Sequence, residues 1–135
     1  MNVWKIRGRV LLIDPDPSIL FLMASILDDI VENIHKAQSG QEALEKLRSN
    51  EYDVLISETN LPDLDGVSIL EDLAKEKILI PSILVIRYVD KEKILRAMRA
   101  GTIDFIQKPF DETTIKQATQ NAISFKESFS AGKNL

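Results

Sequence analysis

Apolar runs alternate with amphipathic stretches along this chain, and the alternation predicts its elements. Arg9-Val10-Leu11-Leu12-Ile13 is a largely apolar run ending at Asp14, the pattern of a strand buried on both faces. Asp16-Pro17 opens a helix, with Asp as N-cap and Pro in the first turn, and the mostly apolar stretch Ile19 to Ile30 continues it. A short strand over Ile34 to Ala37 leads through Ser39-Gly40 into a helix carrying Ala43, Leu44 and Leu47. Asp53-Val54-Leu55-Ile56-Ser57 is the next strand, followed by a loop from Thr59 to Gly66 and a helix over Val67 to Glu76. Pro81 introduces a strand at Ser82 to Ile86, and a fourth helix spans Asp90 to Ala100, closed by Gly101. Ile103 to Ile106 is a short fifth strand, and a last helix begins near Asp111.

Strands and helices that alternate through short connections predict an α/β fold, a doubly wound parallel sheet with helices on both faces. In the flavodoxin-like strand order 2-1-3-4-5 the chain reverses direction at strands one and three, and their carboxyl ends frame a crevice. The residues placed there are Asp14, Pro15 and Asp16 after strand one, and Glu58, Thr59 and Asn60 after strand three. Strands four and five add Ile86, Arg87 and Tyr88, then Gln107, Lys108 and Pro109. The crevice is acidic, with one lysine facing it.

Composition narrows the function. A length of 135 residues fits one compact domain, here over 1–124, with 125–135 as a helix extension or tail. Without cysteines there are no disulfides, thiolate metal sites or cysteine nucleophiles. A net charge of -4 argues against a nucleic-acid surface. The longest apolar stretch, Ser18 to Leu27, is about half the ~20 residues needed to cross a bilayer. Met1 to Arg9 carries Lys5, Arg7 and Arg9 and has no apolar signal-peptide core, so a cytoplasmic protein is expected.

Carboxylates converging on a lysine at a switch point suit a hard cation and phosphoryl chemistry, because Mg²⁺ takes oxygen ligands. They argue against flavin mononucleotide. A phosphate cradle needs Gly, Ser or Thr donors after strand one, whereas Asp14-Pro15-Asp16-Pro17 offers anions and two prolines without N–H groups.

Six segments in order carry a family resemblance. They are Val10-Leu11-Leu12-Ile13-Asp14, Ser39-Gly40-Gln41-Glu42-Ala43-Leu44, Tyr52-Asp53-Val54-Leu55-Ile56, Leu61-Pro62-Asp63-Leu64-Asp65-Gly66, Ala100-Gly101 and Lys108-Pro109-Phe110. Over Arg9 to Ala122 the chain resembles the response-regulator receiver domains of two-component signalling. The resemblance implies an aspartate, four residues before the loop proline, that is phosphorylated with Mg²⁺ held by an acidic pair after strand one. It also implies a Thr or Ser at the end of strand four and a lysine before the final proline, both contacting the phosphoryl group.

This sequence departs from that pattern at three positions. Glu58 stands where the acceptor aspartate would be, Pro15 replaces the second member of the acidic pair, and Ile86 occupies the Thr/Ser position. Asp14 and Lys108 are kept, and Phe105 fills the place where the family often has a rotating aromatic. Pro15 offers no side-chain oxygen, so Mg²⁺ binding is expected to be weak unless Asp16 substitutes, and Asp16 is better employed as the helix cap. Ile86 keeps a β-branched shape without the hydroxyl. Glu58 is longer than Asp by one C–C bond, about 1.5 Å. Its carboxylate therefore projects toward an aspartyl phosphate's oxygens, with about one negative charge where a phosphate has nearly two.

The three changes together predict a degenerate receiver: a phosphorylation-independent, non-enzymatic module for protein interaction. The alternative is an active phosphorelay receiver, phosphorylated unconventionally with Mg²⁺. A small-molecule sensor using the vacated crevice has no motif behind it. Expected partners are an output domain, a histidine kinase or another signalling protein, with a homodimer through the face of helix four, strand five and helix five as a further arrangement.

Other residues admit plainer readings. His35 is alone in its strand and reads as structural or exposed; Trp4 is expected to pack at the sheet's edge. Arg87 and Tyr88 either cover the crevice or are solvated. Lys91, Lys93, Arg96 and Arg99 on helix four read first as a solvated face. Ile115, Ala118, Ala122, Phe125 and Phe129 form a 3-4-3-4 stripe on the last helix. Its two phenylalanines predict a dimer seam or a lead into an output domain, unless Ser128 to Gly132 breaks the helix.

Overall fold

The computed structural model describes residues 6–133, with the side chains of 8–127; Trp4 and the side chain of Phe129 lie outside the described residues. The elements alternate as β1 (Ile6–Ile13), α1 (Pro17–Leu27), β2 (Val31–Ala37), α2 (Gly40–Ser49), β3 (Val54–Glu58), α3 (Gly66–Lys75), β4 (Ser82–Ile86), α4 (Lys91–Arg99), β5 (Thr102–Gln107) and α5 (Glu112–Lys133). The strands form one sheet in the order β2-β1-β3-β4-β5, every neighbouring pair parallel. This is the doubly wound, flavodoxin-like arrangement that the alternation predicts.

Strand periodicity divides the core. Val10 and Leu12 point to one side of β1, with Val54, Ile56, Ile83 and Val85, onto α1 and α5. Leu11 and Ile13 point to the other, with Leu55 and Leu84, onto α2, α3 and α4. β3 and β4 are buried at every position, which is why both read as short apolar runs.

Boundaries differ from the sequence expectation at several elements, β2, α1 and α5 among them. β2 begins at Val31, not Ile34, and includes exposed Glu32 and Asn33. It is an edge strand, so polar residues there need no partner layer. α1 ends at Leu27, short of Ile30. α5 runs unbroken through position 124 and on to Lys133, so the backbone of 128–132 does not break the helix.

Two glycines fix the chain, one at the crevice and one at the opposite end of the sheet. A Cβ on Gly66 would lie 2.6 Å from the Glu58 carbonyl oxygen, so the start of α3 rests directly on the end of β3. Gly101 closes α4 with φ of +106°, a conformation that glycine adopts without a Cβ penalty.

Candidate functional site

The carboxyl ends of β1, β3, β4 and β5 bring the expected residues together. Asp14 follows β1, Glu58 ends β3, Ile86 ends β4, and Lys108 follows β5. The parallel register aligns them: Ile13 lies beside Ser57, Glu58 beside Val85, and Ile86 beside Gln107. The Lys108 N–H donates to the Ile86 carbonyl at 2.7 Å, and the Lys108-Pro109 peptide bond is cis.

The Lys108 ammonium sits between two carboxylates. Its Nζ donates to Asp14 Oδ2 at 2.9 Å and lies 3.4 Å from Glu58 Oε2. The three side chains are 12%, 2% and 5% exposed in the order Lys108, Asp14, Glu58. Asp14 Oδ1 accepts the Asp16 N–H at 2.9 Å, so both of its oxygens are engaged. Glu58 Oε2 is buried without a well-formed hydrogen bond and faces Lys108 as the longer of its two ion pairs, at 3.4 Å.

The charge arithmetic leaves Glu58 under strain. Burial pushes its carboxyl above the ordinary glutamate range, and the Asp14 charge pushes the same way. Lys108, and more weakly Arg87, pull it down without cancelling burial.

The donor set is a poor one for Mg²⁺, with Glu58 Oε2 the crevice's buried oxygen free of hydrogen bonds among the described residues. Asp14 is fully engaged, Pro15 has no donor, and Asp16 Oδ1 caps α1 by accepting the Ser18 N–H at 2.8 Å. Among the described residues no group of three or more His, Cys, Asp or Glu is arranged to hold a metal ion.

The remaining residues around the crevice are apolar or peripheral. Ile86 is buried and lines a cavity of about 170 Å³ with Thr59, Leu84 and Phe105. Phe105 is half-buried against the core layer of α2 to α4. Arg87 and Tyr88 are exposed at the rim, Tyr88 by 82%, so they do not plug the crevice. His35 is away from it: Nδ1 is 2.8 Å from the Tyr52 hydroxyl, and the rings meet edge-on.

Two features escaped the sequence reading. Asp63 accepts the Gly40 and Gln41 N–H groups at 2.8 and 2.9 Å, pinning the loop after β3 to the start of α2. Those backbone bonds hold its carboxyl below the ordinary aspartate range. The available signal was an acid in the Pro62-Asp63-Leu64 loop and a Ser39-Gly40 helix start needing acceptors. The second is α4, whose basic residues are not all solvated. Lys93 lies 3.4 Å from Asp65 Oδ2, and Arg96 binds Glu71 at 2.6 Å; Lys91 and Arg99 stay exposed. Helical spacing puts Lys93 and Arg96 on the side facing α3, where acids await them.

A doubly wound sheet with paired acids and a lysine at its switch point defines a class of signalling domains, and comparison with known proteins agrees. The profile of the Response regulator receiver domain family matches residues 10–120, and the chain belongs to that family. It is 42% identical over 69 residues to the transcriptional regulatory protein FixJ of Rhizobium meliloti, a match covering 51% of this chain and 34% of FixJ. It is 30% identical over 118 residues to the DNA-binding transcriptional regulator NtrC of Escherichia coli, covering 87% of this chain and 25% of NtrC. The chain therefore spans about a third or less of these relatives. The crystal structure of a CheY-like receiver domain protein from Methanospirillum hungatei superimposes with a TM-score of 0.85 at 24% identity, over 91% of this chain and 98% of that one, which supports the fold. No helix among the described residues is long and apolar enough to cross a membrane.

Proposed function

We propose that this receiver domain works without phosphorylation, as a cytoplasmic protein-interaction module in two-component signalling. The observation that carries the reading is the Lys108 ammonium held between buried Asp14 and Glu58. In this arrangement the lysine ammonium compensates the acids. Glu58 stands at the acceptor position, Asp14 and Asp16 are the acids after β1, and Ile86, Phe105 and Lys108 occupy the phosphoryl-contact and switch positions.

Phosphoryl transfer is mostly positioning and charge neutralisation, so nucleophile, metal and oxygen contacts must act together. Here the carboxylate is buried against a lysine, Pro15 takes the place of the second acid, and Ile86 has no hydroxyl. The domain on this reading is not an enzyme. Its partners are a histidine kinase, an output domain or another signalling protein, engaged through the face of α4, β5 and α5. Leu95, Met98 and Phe125 are each more than half exposed on α4 and α5. On this reading the receiver unit ends near 124, and the continuation of α5 as far as Lys133 reaches toward a partner.

The test is intact-mass spectrometry after incubation with acetyl phosphate and Mg²⁺. The expected spectrum has no added phosphoryl group. Mg²⁺-dependent labelling of the unmodified chain would overturn the reading in favour of an active receiver.

A further inference from the structure

α4 buries little apolar surface and makes two ion pairs to the elements beside it. Only Ala97 in this helix is fully buried, and the cavity of about 170 Å³ lies against its first turns at Lys93 and Ile94. Packing that leaves a void gives up dispersion contacts on one side, so apolar contact alone leaves α4 weakly fixed. Two cations make up the difference. Arg96 grips Glu71 of α3 with two bonds, Nη2 to Oε1 at 2.6 Å and Nε to Oε2 at 3.3 Å. Lys93 Nζ reaches Asp65 Oδ2 and Asn60 Oδ1, each at 3.4 Å.

Both Lys93 contacts land on the loop that follows Glu58. Asn60 and Asp65 bridge one another across that loop, and Asp65 caps α3 through the Val67 N–H at 2.8 Å. Between Glu58 and Asn60, Thr59 is tied on both sides: its N–H donates to the Val85 carbonyl at 3.2 Å, and its carbonyl accepts from Gly66 at 2.8 Å. A displacement at the end of β3 is therefore passed to Asn60 and Asp65, and from them to Lys93. The end of β4 supplies no polar side-chain link, because Ile86 is apolar.

We propose that Lys93 and Arg96 form an electrostatic strap that sets the position of α4 and links it to the loop after Glu58. The strap is independent of whether position 58 accepts a phosphoryl group, so its failure and that of the functional reading are separable.

Peptide-resolved amide hydrogen exchange on the full chain tests it. The K93M/R96M double variant should exchange over residues 91–99 about fivefold faster than wild type, with α2 and α5 unchanged. Wild type in about 1 M NaCl should shift the same way, because exposed pairs are screened. The swap E71R/R96E should recover protection that R96E alone loses. Glu58→Gln should alter exchange over 91–99 in wild type and leave the K93M/R96M background unaltered. Wild-type exchange in a folded double variant, a swap without recovery, or an equal Glu58→Gln response in both backgrounds would each overturn the proposal.

Discussion

Replacing Lys108 by Met tests whether the lysine is the counter-ion of the site. At an effective dielectric of about 20, unit charges at the observed 2.9 and 3.4 Å attract by about 6 and 5 kcal/mol. Desolvation of three buried groups and repulsion between the two acids offset most of that gain. What remains on truncation is the cost of leaving buried acids uncompensated, about 3–5 kcal/mol. Total stabilities run from about 5 to 15 kcal/mol, so the variant should still fold but lose a large share of its margin. The loss should depend on pH. Lys108 is what opposes the upward push on Glu58 from burial and Asp14, so without it the folded carboxyl rises further. A folded state that keeps a proton the unfolded state releases loses stability as pH rises from the ordinary value of 4.5 through the raised one. The deficit of Lys108→Met is therefore smallest at acid pH and reaches its full size once pH passes the raised value of the Glu58 carboxyl. Urea midpoints at several pH values, with unchanged m, report it. Adding Glu58→Gln should recover about 1–2 kcal/mol by removing one orphaned charge. A midpoint within error of wild type at every pH would refute the reasoning.

Three further outcomes are expected. In acetyl-phosphate labelling, Glu58→Asp alone should stay inert, whereas Glu58→Asp with Pro15→Asp should label slowly with Mg²⁺, read by intact mass. Gly66→Ala should destabilise by about 1–3 kcal/mol in urea, since its methyl meets the Glu58 carbonyl at 2.6 Å and the backbone must shift. Phe125→Ser should reduce any self-association seen by sedimentation, because the side chain is 52% exposed, and should leave the thermal midpoint nearly unchanged.

The parts legible in the sequence are those that burial dictates. β3 and β4 are covered on both faces, so every position is apolar or small until the strand ends at the crevice. Once strand order follows from alternation, the ends of β1, β3, β4 and β5 converge, and Asp14, Glu58, Ile86 and Lys108 come together from spacing alone. β2 was harder because an edge strand tolerates Glu32 and Asn33, which carry no apolar signal. Partner choice was harder still. The closer partner of Lys108 is Asp14 at 2.9 Å, with Glu58 second at 3.4 Å. Asp63, Lys93 and Arg96 look like ordinary surface charges until the fold delivers donors to the first and acceptors to the other two.

The departures at positions 15 and 58 gain coherence when charges are counted together. The family pattern implied by the resemblance sets three acids against one lysine and a divalent cation, a balanced sum. With Pro15 in place of one acid, two carboxylates face one lysine, and a single negative charge is left over. A divalent ion would overshoot that sum, and both oxygens of Asp14 are already engaged by Lys108 and the Asp16 N–H. The leftover charge falls on Glu58, the acid with the weaker hold on Lys108 and the orphaned oxygen, and its carboxyl rises accordingly. Restoring an acid at position 15 alone would put a third carboxylate against one lysine and worsen the imbalance. On the proposed phosphorylation-independent reading, Pro15→Asp alone should therefore lower the urea midpoint, and Glu58→Asp added to it in the presence of Mg²⁺ should recover part of the loss.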